Sequence, residues 1–270
     1  MIAVTLALGF AALFAAAPTL SPALAQPTVP AACDQAVAVD RLSEPWWAAR
    51  HSDILARIAQ HPAPEVVLLG DSITQNYEKS KLPDENFRPT WDRFYAPRRA
   101  LNLGFSGDTT QHVAWRLRHG EIDGIAPKVV VLLIGTNDTA QHRSAVQTEC
   151  GIYAIVDELT RRLPDAKILL LGLLPSDISP AKSAIDAAVN TALAVRYGQH
   201  SGVHYLDIGA VFRTGDGPLD TTIFYDPRLP GRNAKALHPD TIGQERMAKA
   251  VEPTLAALLR DPRPGGRLRR

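Results

Sequence analysis

The chain predicts an α/β fold, a doubly wound parallel sheet of five strands flanked by helices. Three observations carry that prediction. Five short apolar runs recur along the sequence, continuous rather than alternating, as strands buried on both faces require. Segments with helical spacing separate them, which is the pattern of strands joined by crossover helices. The first three runs each end in a short Gly-, Asp-, Ser- or Asn-rich turn, at the strand ends where ligands gather in such sheets, including those of the flavodoxin-like kind.

Taken in order, residues 1–25 read as a signal peptide. Ile2–Ala17 is apolar, Pro18, Ser21 and Pro22 interrupt the run, and Ala23-Leu24-Ala25 offers a small-residue cleavage pattern before Gln26. The first residues contain no Lys or Arg, so an uncleaved anchor is the alternative. Cleavage would place the mature chain in the periplasm or the medium. Residues 26–44 form an N-terminal extension, and residues 45–260 are long enough for one sizeable core. Within that domain the strands are expected at Val66–Gly70, Ala100–Gly104, Val129–Ile134, Lys167–Leu174 and Val203–Ile208. Helices are expected at Trp46–Gln60, Thr110–His119, Cys150–Arg162 and Ala181–Gly198. A last helix is expected over Thr241–Arg260, where Ile242, Met247, Val251, Leu255 and Leu259 share one face. Arg213–Lys235 is a long non-periodic stretch, of the sort usually functional or mobile. Residues 261–270 are expected to be a frayed, disordered basic tail.

The net charge is +1, so the composition points to no nucleic-acid partner. No second stretch is apolar and long enough to span a bilayer, and no stable membrane association is expected once the leader is removed. Cys33 and Cys150 are the two cysteines. They pair if the compartment is oxidising and the fold brings them together; otherwise Cys150 is a small buried residue and Cys33 is free. Neither belongs to a metal-ligand cluster, and no histidine pair has zinc-hydrolase spacing, so neither metal nor cofactor is expected.

Four separated motifs carry the chemistry. Gly70-Asp71-Ser72 delivers a serine at the end of the first strand. Asn102 to Thr109 follows the second and contains Gly107, whose N–H can approach a ligand without a Cβ in the way. Gly135-Thr136-Asn137-Asp138 follows the third and supplies a side-chain amide. Leu237-His238-Pro239 precedes the last helix and supplies an imidazole. A serine hydroxyl needs a base to take its proton and donors to meet the oxyanion, and these are those parts.

With these motifs, the run Gly107 to Leu117 and Leu171-Gly172-Leu173-Leu174-Pro175, the chain resembles the SGNH hydrolases, also called the GDSL esterase/lipase family. Within it the chain looks closest to the platelet-activating-factor acetylhydrolase catalytic subunits and secreted bacterial esterases of that type. The resemblance covers about residues 45 to 259. It implies Ser72 as nucleophile, His238 as general base, and an oxyanion hole made of the N–H groups of Ser72 and Gly107 and the amide of Asn137.

One position departs from the family pattern. Members usually carry Asp three residues before the catalytic His, where this chain has Lys235. A protonated Lys offers no acceptor to an imidazole N–H. Ile223-Phe224-Tyr225-Asp226 resembles what usually precedes the Leu-His pair, and the residues between Asp226 and Ala236 read as an insertion. Asp226 is therefore the preferred acid. The alternatives are a Ser-His dyad oriented by a backbone carbonyl, and Asp240, which fits better as an acid in the first turn of the final helix.

Other polar residues have plainer readings. Asp71, Asp108 and Asp138 fit caps and turn braces, Trp46, Trp47 and Trp115 fit packing, and the histidines other than His238 fall on helices, loops and strand entries. Two classes of function follow. The first is an exported serine ester hydrolase acting on short acyl esters, acetyl foremost, with a small ester or an O-acetylated carbohydrate as substrate; an acyltransferase would use the same residues. The second is a non-catalytic carbohydrate- or ester-binding protein that has lost its acid.

Overall fold

The computed structural model describes Met1 and residues 37–60, 63–81, 85–199, 202–225 and 235–260. The expectations for the signal peptide, Cys33, Asp226 and the basic tail lie outside the described residues.

Five parallel strands form the sheet: β1 (Val66–Gly70), β2 (Leu101–Gly104), β3 (Val129–Leu133), β4 (Lys167–Leu171) and β5 (Val203–Leu206), in spatial order β2-β1-β3-β4-β5. This is the doubly wound order in which the chain reverses direction beside β1. β1 and β3 are buried at every position, which explains their unbroken apolar sequences. Alternate residues feed two cores. Val67 and Leu69 pack into one with Trp47, Ile54, Val113, Ile152 and Leu193; Val66 and Leu68 pack into the other with Phe87, Phe94, Met247, Val251 and Leu255. The first core is covered by α1 (Pro45–Gln60), α4 (Thr110–Arg116), α6 (Ala145–Arg162) and α7 (Pro180–Tyr197). The second is covered by α3 (Arg88–Phe94) and α8 (Thr241–Leu259). Two short helices, α2 (Ser72–Gln75) and α5 (Thr136–Ala140), start at the ends of β1 and β3. Among the described residues, no helix is long and apolar enough to cross a membrane.

The differences from expectation have local causes. The fourth strand was expected to reach Leu174 but the ladder ends at Leu171. Beyond it the Asn190 side chain takes over, accepting from Leu173 N at 2.7 Å and donating to Leu173 O at 2.9 Å. The run thus stays buried without a neighbouring strand. Helix α6 begins at Ala145 rather than Cys150, because Ser144 and Gln147 form a capping box. Cys150 is buried and disulfide-bonded. Within the long non-periodic stretch, Phe224–Tyr225 pairs antiparallel with His238–Pro239.

Candidate active site

Register brings the predicted residues to one edge. Gly70 pairs with Gly104 on one side and Leu133 on the other. Ser72, Gly107 and Asn137 therefore emerge from three adjacent strand ends. Ser72 opens α2, and Asp71 caps that helix by accepting from Ile73 N at 2.9 Å. Helix α2 lies hard against β2 at Gly104, where a Cβ would come within 2.2 Å of Gln75 N, so only glycine fits.

The Ser72 hydroxyl and His238 Nε2 lie 2.9 Å apart. Two features fix the histidine. Its backbone is held in the ladder opposite Tyr225, and two residues later Asp240 caps α8, its Oδ1 accepting from Ile242 N at 2.8 Å and Gly243 N at 2.9 Å. Helix α8 is in turn stapled to the serine helix, because Gln244 Nε2 donates to Ile73 O at 2.8 Å. The spacing of hydroxyl and imidazole thus rests on two helix caps and one amide. Asp240 is the N-cap of α8, one residue ahead of the first turn expected for it from the sequence. The Lys235 ammonium donates to Ile178 O at 2.6 Å, and so neutralises no carboxylate and orients no imidazole through that bond.

Gly107 sits at φ 77°, a left-handed conformation natural to glycine. The loop that carries it is tied to the serine strand and helix: Phe105 N donates to Gly70 O at 3.1 Å and Ser106 N to Gln75 Oε1 at 2.7 Å. Asn137 Nδ2 donates to Asp108 O at 2.8 Å, which fixes the amide beside the Gly107 loop. An amide nitrogen carries two hydrogens, so one remains for the cleft.

Beneath the loop lies a buried charge network that sequence reasoning missed as a unit. Asp108 is fully buried and accepts from Trp47 Nε1 at 2.8 Å, Arg116 Nε at 2.8 Å and Arg41 Nη1 at 3.0 Å. Arg116, also fully buried, reaches Leu103 O at 3.2 Å and Gly70 O at 3.3 Å and pairs with Glu121. It ties the serine strand to the loop that holds Gly107. Arg41 spans the loop from outside, donating to Ser106 O at 2.8 Å while its Nε and Nη2 grip Glu44. Arg116 stood within the Gly107 to Leu117 run and could have been noticed there. Arg41 carried no sequence signal for this role, because its partners in the Gly107 loop are 65 and 67 residues away.

Burial governs the electrostatics. It pushes the carboxyls of Asp108 and Asp138 up, against the lowering effect of Arg116 on Asp108 and of the Thr110 bonds on Asp138. Asp71 is pushed up to about 7, chiefly by burial. Its Oδ2 is buried and has no hydrogen-bond partner among the described residues. His112 is pushed down to about 4 by burial and then by the neighbouring Arg41, so it is neutral near pH 7 and its Nδ1 accepts from Thr109 N at 2.9 Å. Among the described residues, no group of three or more potential metal ligands is gathered anywhere.

A serine hydroxyl in hydrogen-bond contact with an imidazole at the carboxyl edge of a doubly wound sheet, with N–H groups on the two neighbouring strand ends, is an arrangement suited to acyl transfer. The family model of the GDSL-like lipase/acylhydrolase family matches residues 68–246. The chain belongs to this family. It is 33% identical over 218 residues to the platelet-activating factor acetylhydrolase IB subunit alpha1 of Homo sapiens, covering 79% of this chain and 84% of that protein. Similarity to the alpha2 subunit of Rattus norvegicus is 35% over 181 residues, covering 67% and 74%. A GDSL-like lipase from Bacteroides thetaiotaomicron superposes with a TM-score of 0.56 at 18% identity, covering 77% of this chain and 97% of that one. A lipolytic G-D-S-L family protein from Veillonella parvula does so at 0.54 and 17%, covering 69% and 94%. These two likenesses show the shared fold. Arg41 and Trp47 lie ahead of the segment the GDSL-like family model matches, yet both bond to Asp108 inside it.

Proposed function

We propose that this GDSL-family acylhydrolase is an exported serine ester hydrolase that removes short acyl groups, acetyl foremost, through an acyl-serine intermediate. The 2.9 Å contact between the Ser72 hydroxyl and His238 Nε2 carries the reading. In the first half-reaction the serine oxygen bonds to the ester carbonyl carbon as His238 Nε2 takes its proton. The carbonyl oxygen gains charge and is met by the N–H groups of Ser72 and Gly107 and by Asn137 Nδ2. The bond to the alkoxy oxygen then breaks, and the imidazolium returns the proton to the departing alcohol. In the second half-reaction water replaces the alcohol and the same steps run in reverse order. Asp226 is the acid we assign to the imidazole Nδ1–H.

Three observations support a small acyl group and an exported enzyme. A cavity of about 440 Å³ beside Gly107 is lined by Arg41, Trp46, Gln75, Asn76, Lys79 and Ser106, a small mixed lining whose size suits a short acyl group. The relatives that cover most of this chain bear the name acetylhydrolase. The leader-like first 25 residues support the periplasm or the medium as the working compartment. The test is hydrolysis of p-nitrophenyl esters of rising chain length by the mature protein and by Ser72→Ala. Turnover should be highest for acetate, fall with chain length, and vanish to background in the variant. Equal rates for the two proteins on every ester would refute the reading.

A further inference from the structure

The helix that carries Asn137 has little of its own to hold it. Helix α5 is five residues long, Thr136-Asn137-Asp138-Thr139-Ala140, and its N-cap is Gly135, which has no side chain to close the first turn. Thr, Asn and Asp are weak helix formers, and a single turn of helix is not stable alone. Its position must therefore come from neighbours. On one side Asp138 supplies them, accepting from Thr110 Oγ1 at 2.7 Å, Thr110 N at 3.0 Å and Arg143 Nη1 at 3.0 Å. The other side meets α7, and there the contact is a buried ion pair.

Lys182 and Asp186 stand four residues apart on α7, both buried, with Nζ and Oδ2 2.6 Å apart. Each partner also grips α5. Lys182 Nζ donates to Thr136 Oγ1 at 3.1 Å, and Asp186 Oδ1 accepts from Thr139 Oγ1 at 2.6 Å. Thr136 and Thr139 lie three apart, on one face of the short helix, so two groups on α7 meet two groups on α5 in register. Asn137 lies between the two grips. A buried ion pair gains little stability over apolar side chains of the same size. What an apolar pair could not supply is direction, the hydrogen bonds that fix how α5 is turned about its axis. Lys182 has a second route to the site through its charge, which is felt at Asp71 beside the nucleophile. Neither Lys182 nor Asp186 belongs to the four motifs that carry the chemistry.

We propose that Lys182 and Asp186 are positioning residues for the oxyanion hole: the ion pair clamps α5 and so holds the Asn137 amide where charge develops. The inference rests on the esterase reading and adds two residues that act through Asn137. The variants are Lys182→Met/Asp186→Leu, which removes the pair without leaving a buried charge unpaired, and Thr139→Val, which removes one grip and keeps the pair. Each is made in wild type and in Asn137→Ala, and kcat and KM for p-nitrophenyl acetate are measured for all. In wild type the double variant should lose about tenfold to 100-fold in kcat, with KM within about twofold. Thr139→Val should lose about threefold to tenfold in kcat by the same route. In the Asn137→Ala background both should change kcat by less than about twofold, because the amide they position is gone. Losses of the same size in both backgrounds would overturn the proposal, since charge or general stability would then act apart from Asn137. A rise in KM alone, or no loss, would overturn it too. If the double variant does not fold, Thr139→Val decides by the same comparison. Failure of the esterase reading has its own signature: p-nitrophenyl acetate turnover no faster in wild type than in Ser72→Ala. Amide hydrogen exchange followed by NMR then decides the clamp by itself, read at Thr139 N and Gln141 N, which bond to Gly135 O and Asn137 O. Exchange about tenfold faster in Thr139→Val than in wild type, with the amides of β3 unchanged, supports the clamp. Equal rates, or equal acceleration in both places, overturn it.

Discussion

Replacing Asp71 by Asn should flatten the pH dependence of stability. In the folded chain the Asp71 carboxyl is pushed from an ordinary 3.8 to about 7, chiefly by burial and opposed by the bond from Ile73 N. The groups that face it are Asp108 and Asp138, which raise it, and Lys182, which lowers it. Because its folded value lies above its unfolded value, the folded chain keeps a proton that the unfolded chain has lost between about pH 4 and pH 7. Stability therefore falls as pH rises through that window and levels off above it. At about 1.4 kcal/mol per pH unit, the full effect is about 4 kcal/mol. Asn is the neutral isostere: its Oδ1 can still accept from Ile73 N, and its NH₂ stands where the protonated oxygen stood. The variant should match wild type near pH 4 and exceed it by up to about 4 kcal/mol above pH 7. The assay is urea unfolding of both proteins at half-unit intervals from pH 4 to pH 8. The shift of His112 to about 4 acts in the opposite direction but is common to both, so it cancels in the difference. Parallel profiles would refute the reasoning, as would a variant less stable at pH 8.

Other consequences can be checked by mutation. Asn137→Ala should lower kcat for p-nitrophenyl acetate about 100- to 1000-fold with little change in KM, because the amide meets charge that develops only in the transition state. An equal rise in KM would assign the amide to ground-state binding. Arg41→Met removes the bonds to Ser106 O and Asp108 and should lower kcat about tenfold by loosening the Gly107 loop, with α8 and the Ser72–His238 contact untouched; activity equal to wild type would show that the loop holds its shape without it. Leu132→Ala, at a fully buried position of β3, should destabilise the fold by about 2–5 kcal/mol in denaturant unfolding. A loss below about 1 kcal/mol would contradict the packing described for the central strand.

The parts of this molecule legible in sequence were those decided locally. β1 and β3 could be read because strands buried on both faces must be apolar throughout; Ser72 and Asn137 could be placed because each follows such a strand within a few residues, and Gly107 because it follows the short edge strand β2. His238 was found through the short motif before the last helix, whose Asp240 cap sets its start. The Ser144–Gln147 capping box was written in the sequence and passed over, which put the start of α6 five residues late. What sequence did not reveal depends on contacts across the fold. Arg41 meets Asp108 only because the extension crosses the mouth of β2, and the fourth strand ends early only because Asn190, on α7, occupies the ladder position. Asp226, the acid assigned by resemblance, lies outside the described residues, so its claim rests on the sequence.

The central claim is that Ser72 is the nucleophile served by His238, and trapping the acyl-enzyme tests it most directly. Wild type and Ser72→Ala are mixed with excess p-nitrophenyl acetate, quenched in acid within the first turnovers, digested and analysed by mass spectrometry. The account predicts one added acetyl group on the peptide that contains Ser72, formed in step with an early release of p-nitrophenol, and neither signal in the variant. An acetyl group on another residue, or turnover in Ser72→Ala equal to wild type, would contradict it.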